Sequence, residues 1–292
     1  MNQPLILDGK KVARVIKAEI RTRVAALRKN GVTPKLGIIL IGDHPPSLIY
    51  VANKEKSCRE VGIEAEVFRL PEQTTRAQAV DVINRLNDNP AVHGIIIQLP
   101  VPPQLDAAEL TELIQPQKDV DGLTSTNLGR LVMGNPLFIP ATPAGIKELL
   151  HRYAITITGR RTVIVGRGLL VGKPLANLLL LKGEPGDATV IVGHSRTIDL
   201  ASICKFAEIL VVAIGSPNFV TGEMVTDGVV VVDAGINRTP AGIIGDVHFE
   251  SVAPKSAAIT PVPGGVGPMT VAMLLVNTVR AAELNSHIRV TG

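Results

Sequence analysis

Apolar and polar positions along this 292-residue chain alternate between two rhythms. Short runs rich in Ile and Val, "KLGIILIG" (35–42), "EAEVFRL" (64–70) and "GIIIQL" (94–99), read as strands. Between and before them, residues 9–30, 47–62, 75–88 and 106–114 carry apolar positions at helical spacing. The pattern then restarts with "RTVIVG" (161–166), "ATVIVG" (188–193), "EILVVAIG" (208–215) and "VVVVDAG" (229–235). Helices are expected over 172–182, 198–206 and 221–227, and a hairpin over 237–247 around Pro240 and Gly242. A helix over 143–153 bridges the halves, and a last one runs from about Pro268 to Asn285. Near-continuous apolar strands separated by helices predict parallel sheets covered on both faces. The fold class is α/β, with two α/β domains. The Pro/Gly-rich stretch 133–145 divides them, so residues 1–141 with 269–292 form one domain and 142–268 the other.

Composition narrows the classes. Hydrophobic residues make up 46%, which excludes a disordered chain, and aromatic content of 2% with no Trp argues against a base-stacking platform. Net charge is +4, from 30 Lys+Arg against 26 Asp+Glu, and it is dispersed. That argues against a nucleic-acid partner and fits small anionic ligands. Cys58 and Cys204 lack metal-ligand spacing and read as buried thiols, so no metal is expected. No apolar run approaches a membrane span and no signal-peptide pattern opens the chain, so a cytoplasmic protein without a membrane partner is expected.

In the second half, "VIVGRGLLVGKP" puts a glycine turn between a strand and a helix. Gly166 and Gly168 permit a tight turn near a pyrophosphate, and Gly172 opens a helix whose N-terminus favours anions. The spacing is one residue longer than the usual dinucleotide fingerprint, and an ordinary turn gives the same pattern. The next strand runs into "HSRT", with no acid to hold a ribose 2′-hydroxyl. Ser195, Arg196 and Arg167 there suit an adenosine 2′-phosphate, so this half reads as a Rossmann-like NADP-binding domain.

In the first half, Tyr50 and Lys54 lie about 40° apart on a helix and flank its apolar face, marked by Leu48, Val51 and Cys58. Lys56 points away to solvent. Partial burial lowers a lysine's pKa and fits it to accept a proton, although most rim lysines only extend toward water. "GIIIQLPVP" ends a strand with Gln98, which needs partners, and "KDVDG" gives Asp119 and Asp121, which a simple turn also explains.

"YVANKEK", "QLPVP", "KDVDG", "PATPAGI", "VIVGRGLLVGKP", "HSRT", "DAGINR" and "PVPGGVGPMT" occur in the order of one family. Across residues 5–285 the chain resembles the bifunctional methylenetetrahydrofolate dehydrogenase/methenyltetrahydrofolate cyclohydrolases of the FolD type. The resemblance implies two reactions in one cleft between the domains: NADP-dependent oxidation of 5,10-methylenetetrahydrofolate, then hydrolysis to 10-formyltetrahydrofolate. It implies a catalytic Lys54, a folate-stacking Tyr50, a Gln98 bonded to the lysine and a pterin-binding Asp121. It places cofactor contacts on Gly166 to Gly168, Ser195 and Ile236, and implies a homodimer. Two positions depart from the family pattern: Gly168 stands where a serine is usual, and Ala141 where a cysteine is usual. Short-chain dehydrogenases share Tyr-x-x-x-Lys but place their glycine motif first. A nucleotide-sensing module would not need Lys54, Gln98 and Asp121 together, whereas a dehydrogenase-only member of the family is the nearer alternative.

Overall fold

The computed structural model describes residues 3–183, 186–240 and 242–286. Its first elements are β1 (Leu5–Ile6), α1 (Gly9–Lys29), β2 (Lys35–Ile41), α2 (Pro45–Val61), β3 (Glu64–Leu70), α3 (Arg76–Asp88), β4 (Gly94–Ile97), α4 (Ala107–Glu112), α5 (Ser125–Val132) and α6 (Ala141–Arg152). Then follow β5 (Arg161–Val165), α7 (Gly172–Leu179), β6 (Thr189–Gly193), α8 (Leu200–Lys205), β7 (Ile209–Val212), β8 (Val229–Asp233), β9 (Asn237–Thr239), β10 (Gly242–Ile244), α9 (Phe249–Val252), β11 (Ser256–Ile259) and α10 (Val266–Asn285). They form two compact units. The first is Val15–Ala141 with Val271–Gly292, and the second is Met1–Arg14 with Thr142–Thr270.

In the first unit, three parallel strands lie in the order β3-β2-β4. β4 is buried throughout and β2 in all but its first residue, while the edge strand β3 alternates exposed and half-buried positions. Ile39, Ile41, Ile95 and Ile97 pack with Val82, Ile83 and Leu86 of α3, each buried side chain contributing about 1.5–3 kcal/mol. α3 starts at a capping box between Thr75 and Gln78. Beyond its other end, Lys118 Nζ donates to the carbonyls of Leu86, Asn87 and Asn89 at 2.7–2.9 Å, satisfying acceptors the helix leaves open.

The second unit holds a six-stranded parallel sheet, β1-β11-β8-β7-β5-β6, and a two-stranded antiparallel hairpin of β9 and β10. β5 pairs with both β6 and β7, so the strand order reverses beside β5. Such a reversal opens a crevice at the carboxyl ends of the strands.

The structure differs from the sequence reading at several places. Residues 1–14 belong to the second unit, because Leu5 and Ile6 pair with Ala258 and Ile259 and extend its sheet. Both side chains are exposed, and a two-residue strand is too short to show a period in the sequence. α10 starts at Val266, placing Pro268 within the first turn, where its missing N–H costs nothing. The helix expected over 221–227 is a single 3-10 turn, Gly222–Met224. α5 was not anticipated, and its Thr124 cap accepts the Asn127 N–H. Among the described residues, no group of three or more His, Cys, Asp or Glu could hold a metal ion, and no helix is long and apolar enough to cross a membrane.

Candidate active site

The first unit brings Lys54 and Gln98 into contact. α2 ends at Gly62, whose left-handed φ of 86° lets the chain turn into β3. On that helix Lys54 and Tyr50 are half-buried, one turn apart, and Lys56 is exposed. Gln98 directly follows β4 and is 8% exposed. Its backbone N–H donates to the Ile39 carbonyl at 2.8 Å, and its Nε2 donates to the Leu99 carbonyl at 2.8 Å. That second bond turns the amide oxygen toward Lys54, whose Nζ donates to it at 3.1 Å. Ser47, buried on the first turn of α2, also reaches the Leu99 carbonyl, at 3.5 Å.

The two aspartates of "KDVDG" separate by partner. Asp119 is buried and accepts the N–H groups of Leu123 and Thr124 and the amide of Asn127 at 2.8–3.2 Å. It is the structural acid of the turn, and the segment lies beside β4 through the Ile95 N–H to Lys118 carbonyl bond. Asn277 of α10 donates to the Val120 and Ile139 carbonyls, both at 2.9 Å, and anchors the same loop. Asp121 faces the lysine electrostatically. Burial pushes the Lys54 ammonium below the usual lysine range, and the Asp121 charge partly offsets it. Burial likewise pushes the Asp121 carboxyl upward, with Lys54 opposing. Cys58, one turn past Lys54, is buried and its thiol is pushed up to about 12, which leaves it unreactive near neutral pH.

The second unit gathers its candidates at strand ends. Gly166 follows β5 at φ 123°, and its N–H donates to the Gly193 carbonyl at 2.8 Å. A Cβ at Gly166 would run into the Ala213 carbonyl after β7, and one at Gly172 into the Gly166 carbonyl. Here backbone packs on backbone beside the strand reversal, leaving a cradle that only glycine permits. No side chain caps α7; the Lys173 N–H is taken by the Gly168 carbonyl at 3.1 Å and Pro174 has none, so the helix start offers a ligand the Gly172 N–H and the positive end of its dipole. Arg167 and Gly168 are exposed, and nothing lies within 4 Å of a Cβ built on Gly168. Ser195 and Arg196 are exposed after β6, and Ile236 is exposed after β8. The first acid after β6, Asp199, is taken up as the cap of α8, accepting the Ser202 N–H and hydroxyl. A glycine cradle, two exposed guanidinium groups and no free acid fit a phosphorylated dinucleotide.

The sequence reading passed over Asp233, which ends β8 before Ile236, and Asp246, which follows β10; both are buried. Their signal was two acids flanking the predicted hairpin in an otherwise apolar region, at "VDAG" and "GDV".

Comparison with known proteins finds two family matches along the chain. The family model for the tetrahydrofolate dehydrogenase/cyclohydrolase catalytic domain matches residues 7–121, and the model for its NAD(P)-binding domain matches residues 140–286. The "Bifunctional protein FolD" of Desulfovibrio desulfuricans is 53% identical over 278 residues, covering 95% of this chain and 98% of that protein. The crystal structure of the bifunctional FolD enzyme from Campylobacter jejuni has a TM-score of 0.92 and 44% identity, covering 96% of this chain and 98% of the other. The Trypanosoma brucei methylenetetrahydrofolate dehydrogenase-cyclohydrolase, solved with NADP and an inhibitor, has a TM-score of 0.92 and 37% identity, covering 98% and 99%.

Proposed function

The chain belongs to the tetrahydrofolate dehydrogenase/cyclohydrolase family, and we propose that Lys54, Tyr50, Gln98 and Asp121 are the groups with which it works on folate. The enzyme oxidises 5,10-methylenetetrahydrofolate to the methenyl form with NADP, then hydrolyses that product to 10-formyltetrahydrofolate. The observation that carries the residue assignment is the 3.1 Å bond from Lys54 Nζ to Gln98 Oε1, beside the charge of Asp121.

The methenyl carbon is part of an amidinium cation, so water adds to it readily once positioned. In hydrolysis a C–O bond forms to that carbon, and the C–N5 bond then breaks. Both protons of the attacking water must leave its oxygen, the first to reach N5 and the second to pass to solvent. Lys54, with its pKa lowered by burial, accepts the first and returns it to N5. Gln98 holds the amine in place through an oxygen whose direction the Leu99 carbonyl sets. The Asp121 carboxylate suits the donor-rich edge of the pterin, and Tyr50 offers a flat face with a polar tip.

When bound, NADP supplies the acceptor for the hydride that leaves the methylene carbon. Gly166 to Gly168 and the α7 N-terminus would hold its pyrophosphate, with Arg167, Ser195 and Arg196 on the 2′-phosphate and Ile236 as an apolar contact. The test is a spectroscopic time course with methylenetetrahydrofolate and NADP. Methenyl absorbance should rise and then decay; an accumulating methenyl product would remove the hydrolase activity. Equal or better catalysis with NAD would overturn the 2′-phosphate assignment. The family resemblance also supports a cytoplasmic homodimer, and a monomer mass by light scattering would overturn the dimer.

A further inference from the structure

Two buried carboxylates in the second unit take no part in the chemistry above. Asp246 is fully buried. Its Oδ2 accepts the N–H groups of Ile214 (2.7 Å) and Gly215 (2.9 Å), in the loop after β7. Its Oδ1 accepts the side-chain amide of Asn237 at 2.7 Å, the first residue of β9 and one past Ile236. Asp233 ends β8 and accepts the N–H groups of Gly235 (2.8 Å), Asp246 (3.0 Å) and Val247 (2.9 Å). The packing leaves no slack: a Cβ on Gly235 would run into Asp246, and one on Gly245 into Asp233. Burial pushes the Asp233 carboxyl up to about 6 even against those three donors.

Buried acids are costly, and a loop needing only stability could be packed with apolar groups instead. The placement points to a different use. Ile214 follows Ala213, whose carbonyl is the surface against which Gly166 packs. One carboxylate therefore sets both the wall of the glycine cradle and the loop that presents Ile236.

We propose that Asp246 is a positioning residue for the dinucleotide, fixing the 213–215 and 236–237 segments relative to each other in the shape the cofactor needs. This rests on the NADP reading of the second unit. Loss of Asp246 then acts on the dehydrogenase through the cofactor. It spares the cyclohydrolase, which consumes no dinucleotide and whose proposed residues lie in the other unit.

The experiment measures both activities in Asp246→Ala, with preformed methenyltetrahydrofolate as the cyclohydrolase substrate. The cofactor KM should rise about tenfold or more, with cyclohydrolase kcat/KM within about twofold of wild type. Asp246→Asn should cost about threefold or less in cofactor KM, since the Asn237 amide can turn to offer its oxygen to the new NH₂. An unchanged cofactor KM in Asp246→Ala, or a parallel fall of both activities, would overturn the proposal. If Asp246→Ala is insoluble, Asn237→Ala decides: it cuts one arm of the latch and should raise cofactor KM about threefold, while no change counts against the proposal. Wild type is assayed alongside with NADP; if it shows no NADP-dependent oxidation, the cofactor reading itself has failed.

Discussion

The two units solve different problems with different parts of the chain. The folate candidates of the first unit are side chains, buried or half-buried and tied to one another: Lys54 to Gln98, Gln98 to the Leu99 carbonyl, Lys54 to Asp121 through charge. The dinucleotide candidates of the second unit are backbone turns, with exposed Arg167, Ser195 and Arg196 around them. Moving a proton requires a tuned pKa, and tuning comes from burial and neighbouring charge. Holding a pyrophosphate requires aligned N–H groups and room for close approach, which glycine and a helix start supply. Among the candidate site residues, perturbed titration therefore falls in the first unit and forced backbone in the second.

That contrast can be broken by substitution. The largest effect is expected from Lys54→Met, which should cut hydrolysis of methenyltetrahydrofolate about 10³-fold while leaving NADP binding, read by fluorescence titration of NADPH, unchanged. Next is Gly166→Ala. The left-handed φ of 123° and the Ala213 carbonyl both oppose a methyl group there. Strain of about 1–3 kcal/mol or more should lower dehydrogenase kcat/KM about 100-fold and hydrolysis by less than about threefold. Loss of both activities together would mean the units do not divide the work as argued.

Legibility differed between the units for the same reason. Helical periodicity separates Lys54 from Lys56 from the sequence alone, and the structure places the first half-buried and the second exposed. Periodicity cannot say that Gln98 reaches Lys54, because that contact spans 44 residues. Nor could it separate Asp119 from Asp121, since the difference lies in which backbone N–H groups the turn aims at Asp119. The glycine turn was visible as spacing, but the reason for Gly166 sits across the sheet at Ala213. β1 escaped notice because a two-residue strand with exposed side chains has no pattern to read. The Asp246 latch is likewise non-local, since Asp246 holds N–H groups that lie 32 and 31 residues before it in the chain.

Two smaller effects sharpen the comparison. Gly168→Ser restores a hydroxyl at an exposed position with open space around it and should lower the NADP KM about threefold, leaving hydrolysis unchanged. Lys56→Met, only two residues from Lys54, should change either activity by less than about twofold and stability by about 0.5 kcal/mol or less in thermal unfolding.

The proposed role of Lys54, half-buried and poised by Gln98 and Asp121, is to move the protons of hydrolysis. Its most direct measure is the pH profile of cyclohydrolase kcat in wild type, Asp121→Asn and Lys54→Met. The rate should fall as pH drops through a lysine pKa lying below the ordinary value. Asp121 raises that pKa, so Asp121→Asn should move the acid limb to lower pH, and Lys54→Met should abolish the limb with the activity. Hydrolysis by Lys54→Met at the wild-type rate with the wild-type pH dependence would contradict the account.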